Sequence, residues 1–345
     1  MGELEMLTPR QVDVLRSIIR EYIETAEPVS SRAVAKRQGM ALSPATIRNV
    51  MADLVEEGYL MQPHTSAGRI PTEKAFRLYV RELAVRRPSP AELQQVRESF
   101  SGVETLEEGI QRSSRLLTDL TQKVGIAAAV PAANHMLDQI ELVPLSDRRV
   151  LVIVATRERL VRNRVVALDE ELTADELASI RNYLNWNFGG WRISDIRLEM
   201  ERRLAAESAY YDALLKRLNM LFARGFLDID LNPEVHLEGT SYLVAVDLHL
   251  TREKLRELLH TLEEKKRILQ LLDRFLEDPP GEVKVQVGLG ELHPTMRELA
   301  LIGIKVNRPG GLAAKVAVLG PMRMHYSKVM SAVLGVGQAL ETLPC

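Results

Sequence analysis

Apolar residues recur at intervals of three and four along the first quarter of the chain, and polar breaks divide that pattern into short elements. Across residues 8–26, Val12, Leu15, Ile18, Ile19, Tyr22 and Ile23 predict an amphipathic helix. Thr8 supplies an N-cap, and Pro9 fits the first helical position, where no N–H is needed. Ser30 or Ser31 opens a second, shorter helix through Gln38, and Gly39 provides its left-handed stop. A third helix starts at Ser43, with Pro44 first, and ends before Gly58. Ile47, Val50, Met51, Leu54 and Val55 fall on one arc of its wheel; Ala45, Thr46, Arg48, Asn49 and Ala52 fall outside it. Residues 59–62 and 69–72 predict two short strands around PHTSAG, with Gly68 free to take a positive φ in the turn. Thr72 then caps a helix to about Val85, packing through Ala75, Phe76, Tyr79, Val80 and Leu83, and RRPSPAE (86–92) reads as a hinge.

Further on the pattern mixes the two periods. A helix is expected over 106–124, a buried strand over 126–130, and an antiparallel meander over 139–145, 149–156 and 160–168, with tight turns at Asp147–Arg148 and Arg157–Glu158. Helices follow over 173–188, 193–204 and 207–223. Then come a strand over 234–237, mostly helix over 251–276, strands over 282–289, 300–306 and 313–319, and a last helix over 325–340. The expected fold is multidomain α+β. A head spans 1–87 and a linker 88–92, and a body made of 93–137 and 223–345 is interrupted by an insertion, 138–222. Trp186, Phe188, Trp191, Tyr210 and Tyr211 gather in that insertion, which suits either a dimer interface or the insertion's own core.

Two short helices, a turn and a hairpin in this order make a winged helix-turn-helix, the module that lays one helix in the DNA major groove. Charge strengthens the reading. The whole chain carries a net charge of −2, yet residues 28–87 hold ten Lys/Arg against five acids, and no acid lies between Pro28 and Ala52. Double-stranded DNA is the implied partner. Thr46, Arg48 and Asn49 are the candidate base readers, since Arg suits guanine O6/N7 and Asn suits adenine N6/N7. Ser31, Arg32, Lys36 and Ser43 are candidates for phosphate, and His64, Thr65, Ser66 and Arg69 for wing contacts.

Composition closes other routes. With 46% apolar residues among 345, the chain can bury a sizeable core. A single cysteine, Cys345, builds no disulfide framework or thiolate metal site and suits a reducing cytoplasm. MGELEMLTPR lacks the order of a signal peptide, and no apolar run is long enough to span a membrane. No enzyme is expected. The seven histidines (64, 135, 236, 249, 260, 293, 325) show no zinc-site spacing, and there is no nucleophile elbow and no P-loop. Gly288–Leu289–Gly290 lacks a third glycine, and Asp228/Asp230 and Glu291/His293 read as surface loops. No cofactor or metal is called for.

The run SPATIRNVMADLVEEGYLMQPHTSAGRIPTEKAFRLYV (43–80) resembles the heat-inducible transcription repressors of bacterial chaperone operons, the HrcA family. It carries that family's ATIRN-x-M-x-DL core, its GY-[LI] entry to the wing and its HTS-x-GR-[IV]-P wing. EGTSYLV (238–244), VQVGLGEL (285–292) and GPMRMHYSKV (320–329) resemble later blocks in the same order. Val50 and Val55 stand where the family often has Glu, Pro44 where it often has Ser, and Met322 and His325 depart from its usual residues. The resemblance implies a GAF-like body, an inserted α+β domain that makes a homodimer, and an inverted-repeat operator at chaperone genes. It also implies release on heating, and a chaperonin that maintains the active form. The competing expectation is a winged-helix regulator controlled by a small molecule in the body.

Overall fold

The computed structural model describes residues 7–38, 42–64, 67–103, 105–129, 135–157, 161–206, 213–225, 235–246, 248, 250–276, 280–307 and 313–342. The head contains α1 (Pro9–Thr25), α2 (Ser31–Gln38), α3 (Pro44–Glu56), the hairpin β1 (Leu60–Met61) and β2 (Ile70–Pro71), and α4 (Glu73–Glu82). Local chemistry starts each long helix. Thr8 and Gln11 form a reciprocal capping box at α1, and Ser43 and Thr72 accept from the backbone N–H of Thr46 and Ala75. Val14, Ile18 and Ile19 of α1 and Ile47 and Leu54 of α3 are fully buried against one another, each such side chain contributing roughly 1.5–3 kcal/mol.

Next come α5 (Pro90–Ser99), α6 (Leu106–Thr121), β3 (Val124–Ala129), β4 (Leu137–Leu145), β5 (Arg149–Thr156), β6 (Val161–Ala167), α7 (Ala174–Phe188), α8 (Ile193–Ala206) and α9 (Ala213–Ala223). They are followed by β7 (Val235–Glu238), α10 (Ser241–Val244), α11 (Arg252–Glu263), α12 (Lys265–Phe275), β8 (Lys284–Val287), β9 (Leu299–Asn307), β10 (Ala313–Pro321) and α13 (Tyr326–Thr342). The hinge expected at 88–92 is partly helix. Ser89 and Glu92 form a capping box (Ser89 N to Glu92 Oε2, 2.7 Å; Glu92 N to Ser89 Oγ, 3.3 Å), and Pro90 takes the first position of α5. The irregular segment between α4 and α5 is residues 83–89.

The body is a three-layer sandwich. Its sheet has the order β7-β3-β10-β9-β8, with every neighbouring pair antiparallel. Alternation along the strands feeds two cores. Ala300, Ile302, Ile304 and Val306 of β9 and Val316 and Val318 of β10 face α6 and α13, in an apolar cluster that continues into the head. Leu299, Leu301, Ala317 and Leu319 face α11 and α12.

The inserted meander β4-β5-β6 has its own core. Asp147 and Arg148, at φ 61° and 53°, turn the chain between β4 and β5. One face packs on α7, where Asn185 bridges both backbone groups of Ile140 (2.7 and 2.9 Å). The opposite face is open. Val143, Leu151 and Val165 lie in one register row across it, with Ala155 and Val161 in another. Val143, Val161 and Val165 are 40%, 57% and 49% exposed. Of the clustered aromatics, Phe188 is core, Trp186 is 91% exposed, and Tyr210 and Tyr211 lie outside the described residues. Among the described residues no helix is long and apolar enough to cross a membrane.

Candidate nucleic-acid interface

The buried arc of α3 is Ile47, Val50, Met51 and Leu54, and α3 packs on α1 and α2 through it. Its opposite flank carries Pro44, Ala45, Arg48, Asn49 and Ala52, all exposed. Small residues at the helix start let the rod approach another surface closely, and Arg48 and Asn49 offer donors and an acceptor from one turn. The acids Asp53 and Glu56 come later along the same rod. Arg32 and Lys36 are exposed on α2, and neither they nor Arg48 makes an ion pair among the described residues. Ser43 is exposed and caps α3. Thr46 is half-buried, its hydroxyl 2.9 Å from Ser43 Oγ, so it belongs to the cap rather than to the open flank.

Ser31 differs from expectation. It is 7% exposed and faces inward from the first turn of α2. The exposed cap is Ser30, whose Oγ accepts from Ala33 N at 3.2 Å. The two serines are indistinguishable as caps from sequence; the backbone turn that starts at Ser30 turns Ser31 into the core.

The wing also differs. Beside the β1–β2 pair, Val29 forms an isolated antiparallel bridge with Arg69 through two backbone hydrogen bonds (2.9 and 2.8 Å). Gly68 is not at positive φ. It is needed because a Cβ there would lie 2.5 Å from the Pro28 carbonyl oxygen, at the close approach this bridge creates. Arg69 is therefore half-buried, one guanidinium N–H donating to Ala67 O at 3.2 Å, and its Nε is buried without a partner among the described residues. His64 is exposed, and Thr65 and Ser66 lie outside the described residues. Lys74 fixes the wing to α4. Its Nζ donates to Glu57 O at 3.1 Å and sits 4.2 Å from the Tyr59 ring centroid.

Residues 6–83 match the family described as winged helix-turn-helix transcription repressor, HrcA DNA-binding, and residues 107–330 match the HrcA protein C-terminal domain. The chain belongs to the HrcA family. The heat-inducible transcription repressor HrcA of Geobacter sulfurreducens is 37% identical over 331 residues, covering 95% of each chain. The repressor of the same name from Sorangium cellulosum is 35% identical over 342 residues, covering 99% of this chain and 98% of its own. A solved structure described only as a hypothetical protein superposes with a TM-score of 0.64 at 22% identity, covering 97% of this chain and 98% of that one, and shows a shared fold. As a member of the HrcA family this is a DNA-binding transcription repressor and not an enzyme. Among the described residues no group of His, Cys, Asp and Glu could hold a metal ion.

Proposed function

We propose that the protein represses heat-shock chaperone operons by binding an inverted-repeat operator as a homodimer, and that heating releases it. One observation carries the DNA contact: the Arg48/Asn49 flank of α3 is open, cationic and free of acids at its leading end. Arg48 and Asn49 read base edges, each worth about 1–3 kcal/mol of discrimination. Arg32, Lys36, Ser43 and the start of α3 hold phosphates, with Ser30 in place of Ser31. Arg69, just before β2, contacts DNA from the wing, and His64, Thr65 and Ser66 complete that contact. Thr46 acts through the cap.

Dimerisation is supported by the outer face of the inserted sheet, where the exposed valines Val143, Val161 and Val165 flank a central row of Glu141, Ile153 and Asn163, and which a second copy would cover. We read 1–87 as the head, 93–137 with 223–345 as a GAF-like body and 138–222 as the dimerising insertion. The location is cytoplasmic, and a chaperonin serves as the partner that maintains the active form. Footprinting on the cell's chaperone promoters, below and above heat-shock temperature and with or without chaperonin, tests the whole. Two symmetric protected half-sites that disappear on heating are expected; no protection at any such promoter would contradict it.

A further inference from the structure

The segment Gly320–Tyr326, GPMRMHY, lies in the body, yet it meets the head. Met322 and Met324 are 8% and 2% exposed and Tyr326 is 1% exposed, all in the cluster shared with α1, α3 and α4. The Tyr326 ring lies between two rings of α4, with centroids 6.4 Å from Phe76 and 6.4 Å, edge-on, from Tyr79. Phe76 in turn reaches Tyr22 of α1 at 6.4 Å. The Tyr326 hydroxyl donates to Met322 O at 2.6 Å, and burial pushes its pKa up, so it remains a protonated donor.

A second contact lies beside the first. Arg77 Nε of α4 donates to Val287 O at the end of β8, 3.1 Å away, while its Nη2 pairs with Glu73 Oε1 at 2.6 Å. The Glu73 carboxylate rests on Gly288, which is at φ +74°; a Cβ there would fall 2.2 Å from the carboxylate carbon. Both contacts hold α4, and α4 is bonded to the wing. Thr72 donates its N–H to Tyr59 O at 3.0 Å and its hydroxyl to Gly58 O at 2.8 Å. The irregular segment 83–89 joins head and body along the chain, and without these contacts it would give the head more freedom to swing.

We infer that Tyr326, Arg77 and Gly288 are positioning residues for operator recognition, fixing the head on the body and thereby the spacing of half-sites the dimer accepts. The inference rests on the dimeric reading above. A rigid dimer binds its second half-site at high effective concentration only when the separation matches, and a loosely tethered head loses both the gain and the selectivity.

The test uses the full-length chain, an operator series whose half-site separation changes one base pair at a time, and an isolated half-site. Wild type is expected to favour one separation and to lose affinity about half a helical turn, about 5 bp, away. Gly288→Ala and the milder Arg77→Ala should flatten that profile. They should weaken the preferred separation about tenfold or more and leave isolated half-site affinity unchanged. An unchanged profile in both variants overturns the inference while leaving DNA reading intact. Equal loss on the half-site and on every separation also overturns it, because the contact would then serve only the head's own stability. If wild type gains nothing from a second half-site, the dimeric reading fails and this inference fails with it.

Discussion

Two exposed faces of this molecule differ in what they leave unsatisfied. The outer flank of α3 shows small residues, one guanidinium and one amide, with the acids set behind them. The outer face of the inserted sheet shows Val143, Val161 and Val165, about half in contact with water, beside a more covered Leu151. The first is comfortable in solvent and gains from a wet polyanion, where phosphate neutralisation and base-edge hydrogen bonds supply the energy. The second is uncomfortable in solvent and gains from another apolar surface, where area removed from water supplies it. Exposure alone does not name a partner; the chemistry of what is exposed does. In the dimer proposed above the two faces act together, because symmetry at the protein face sets symmetry at the DNA face.

The comparison can be broken at either end. The largest effect is expected from Val165→Asp, which puts a charge on the edge strand, at the end of the Val143–Leu151–Val165 row. Light scattering should report a monomer, and operator affinity should fall about a hundredfold or more through loss of the second half-site. A dimeric mass would assign the interface elsewhere. Arg48→Ala should cost about 1–3 kcal/mol at the operator and relax base preference at one position per half-site, with the mass of the particle unchanged. A smaller effect belongs to Lys36→Ala. It should weaken operator and random DNA alike and reduce the slope of log affinity against log salt by about 1; a selective loss on the operator would make Lys36 a base reader.

The smallest concerns Lys123, whose stem covers Gly320. Burial and the neighbouring charges of Arg323 and Lys328 hold its pKa below that of an ordinary lysine. The unfolded chain therefore binds that proton more tightly, so stability rises with pH between the folded value and 10.5, and the penalty is full below the folded value. Lys123→Met should raise the melting midpoint at pH 7 by about a degree or two and leave operator binding alone. A lower midpoint would show that the charge is compensated.

The head was legible because its signals are local. Thr8, Ser43 and Thr72 each stand one residue before a helix and do cap it, and the free flank of α3 follows from the period of its buried side. Where two local readings compete, sequence leaves the choice open. Ser30 and Ser31 cap equally well on paper, and Ser-Pro-Ala-Glu at 89–92 is both a hinge composition and a capping box, which the structure uses as a box. Single-residue pairing such as Val29 with Arg69 leaves no periodic trace. The contact between Arg77 and Val287 joins residues 210 positions apart. Nothing in the neighbourhood of either predicts the other, so the role of the GPMRMHY segment emerges only once the sheet order brings β8 and the start of α13 against α4.

At the operator the Arg48 guanidinium is expected to touch a guanine edge in each half. Replacing one guanine at a time by 7-deazaguanine, which lacks the N7 acceptor, and titrating both wild type and Arg48→Ala tests it most directly. One position per half-site is expected where the analogue weakens wild type about tenfold, within the roughly 1–3 kcal/mol of a bidentate pair, and leaves Arg48→Ala unaffected. If every position weakens the two proteins equally, or none weakens wild type, α3 does not read bases through Arg48.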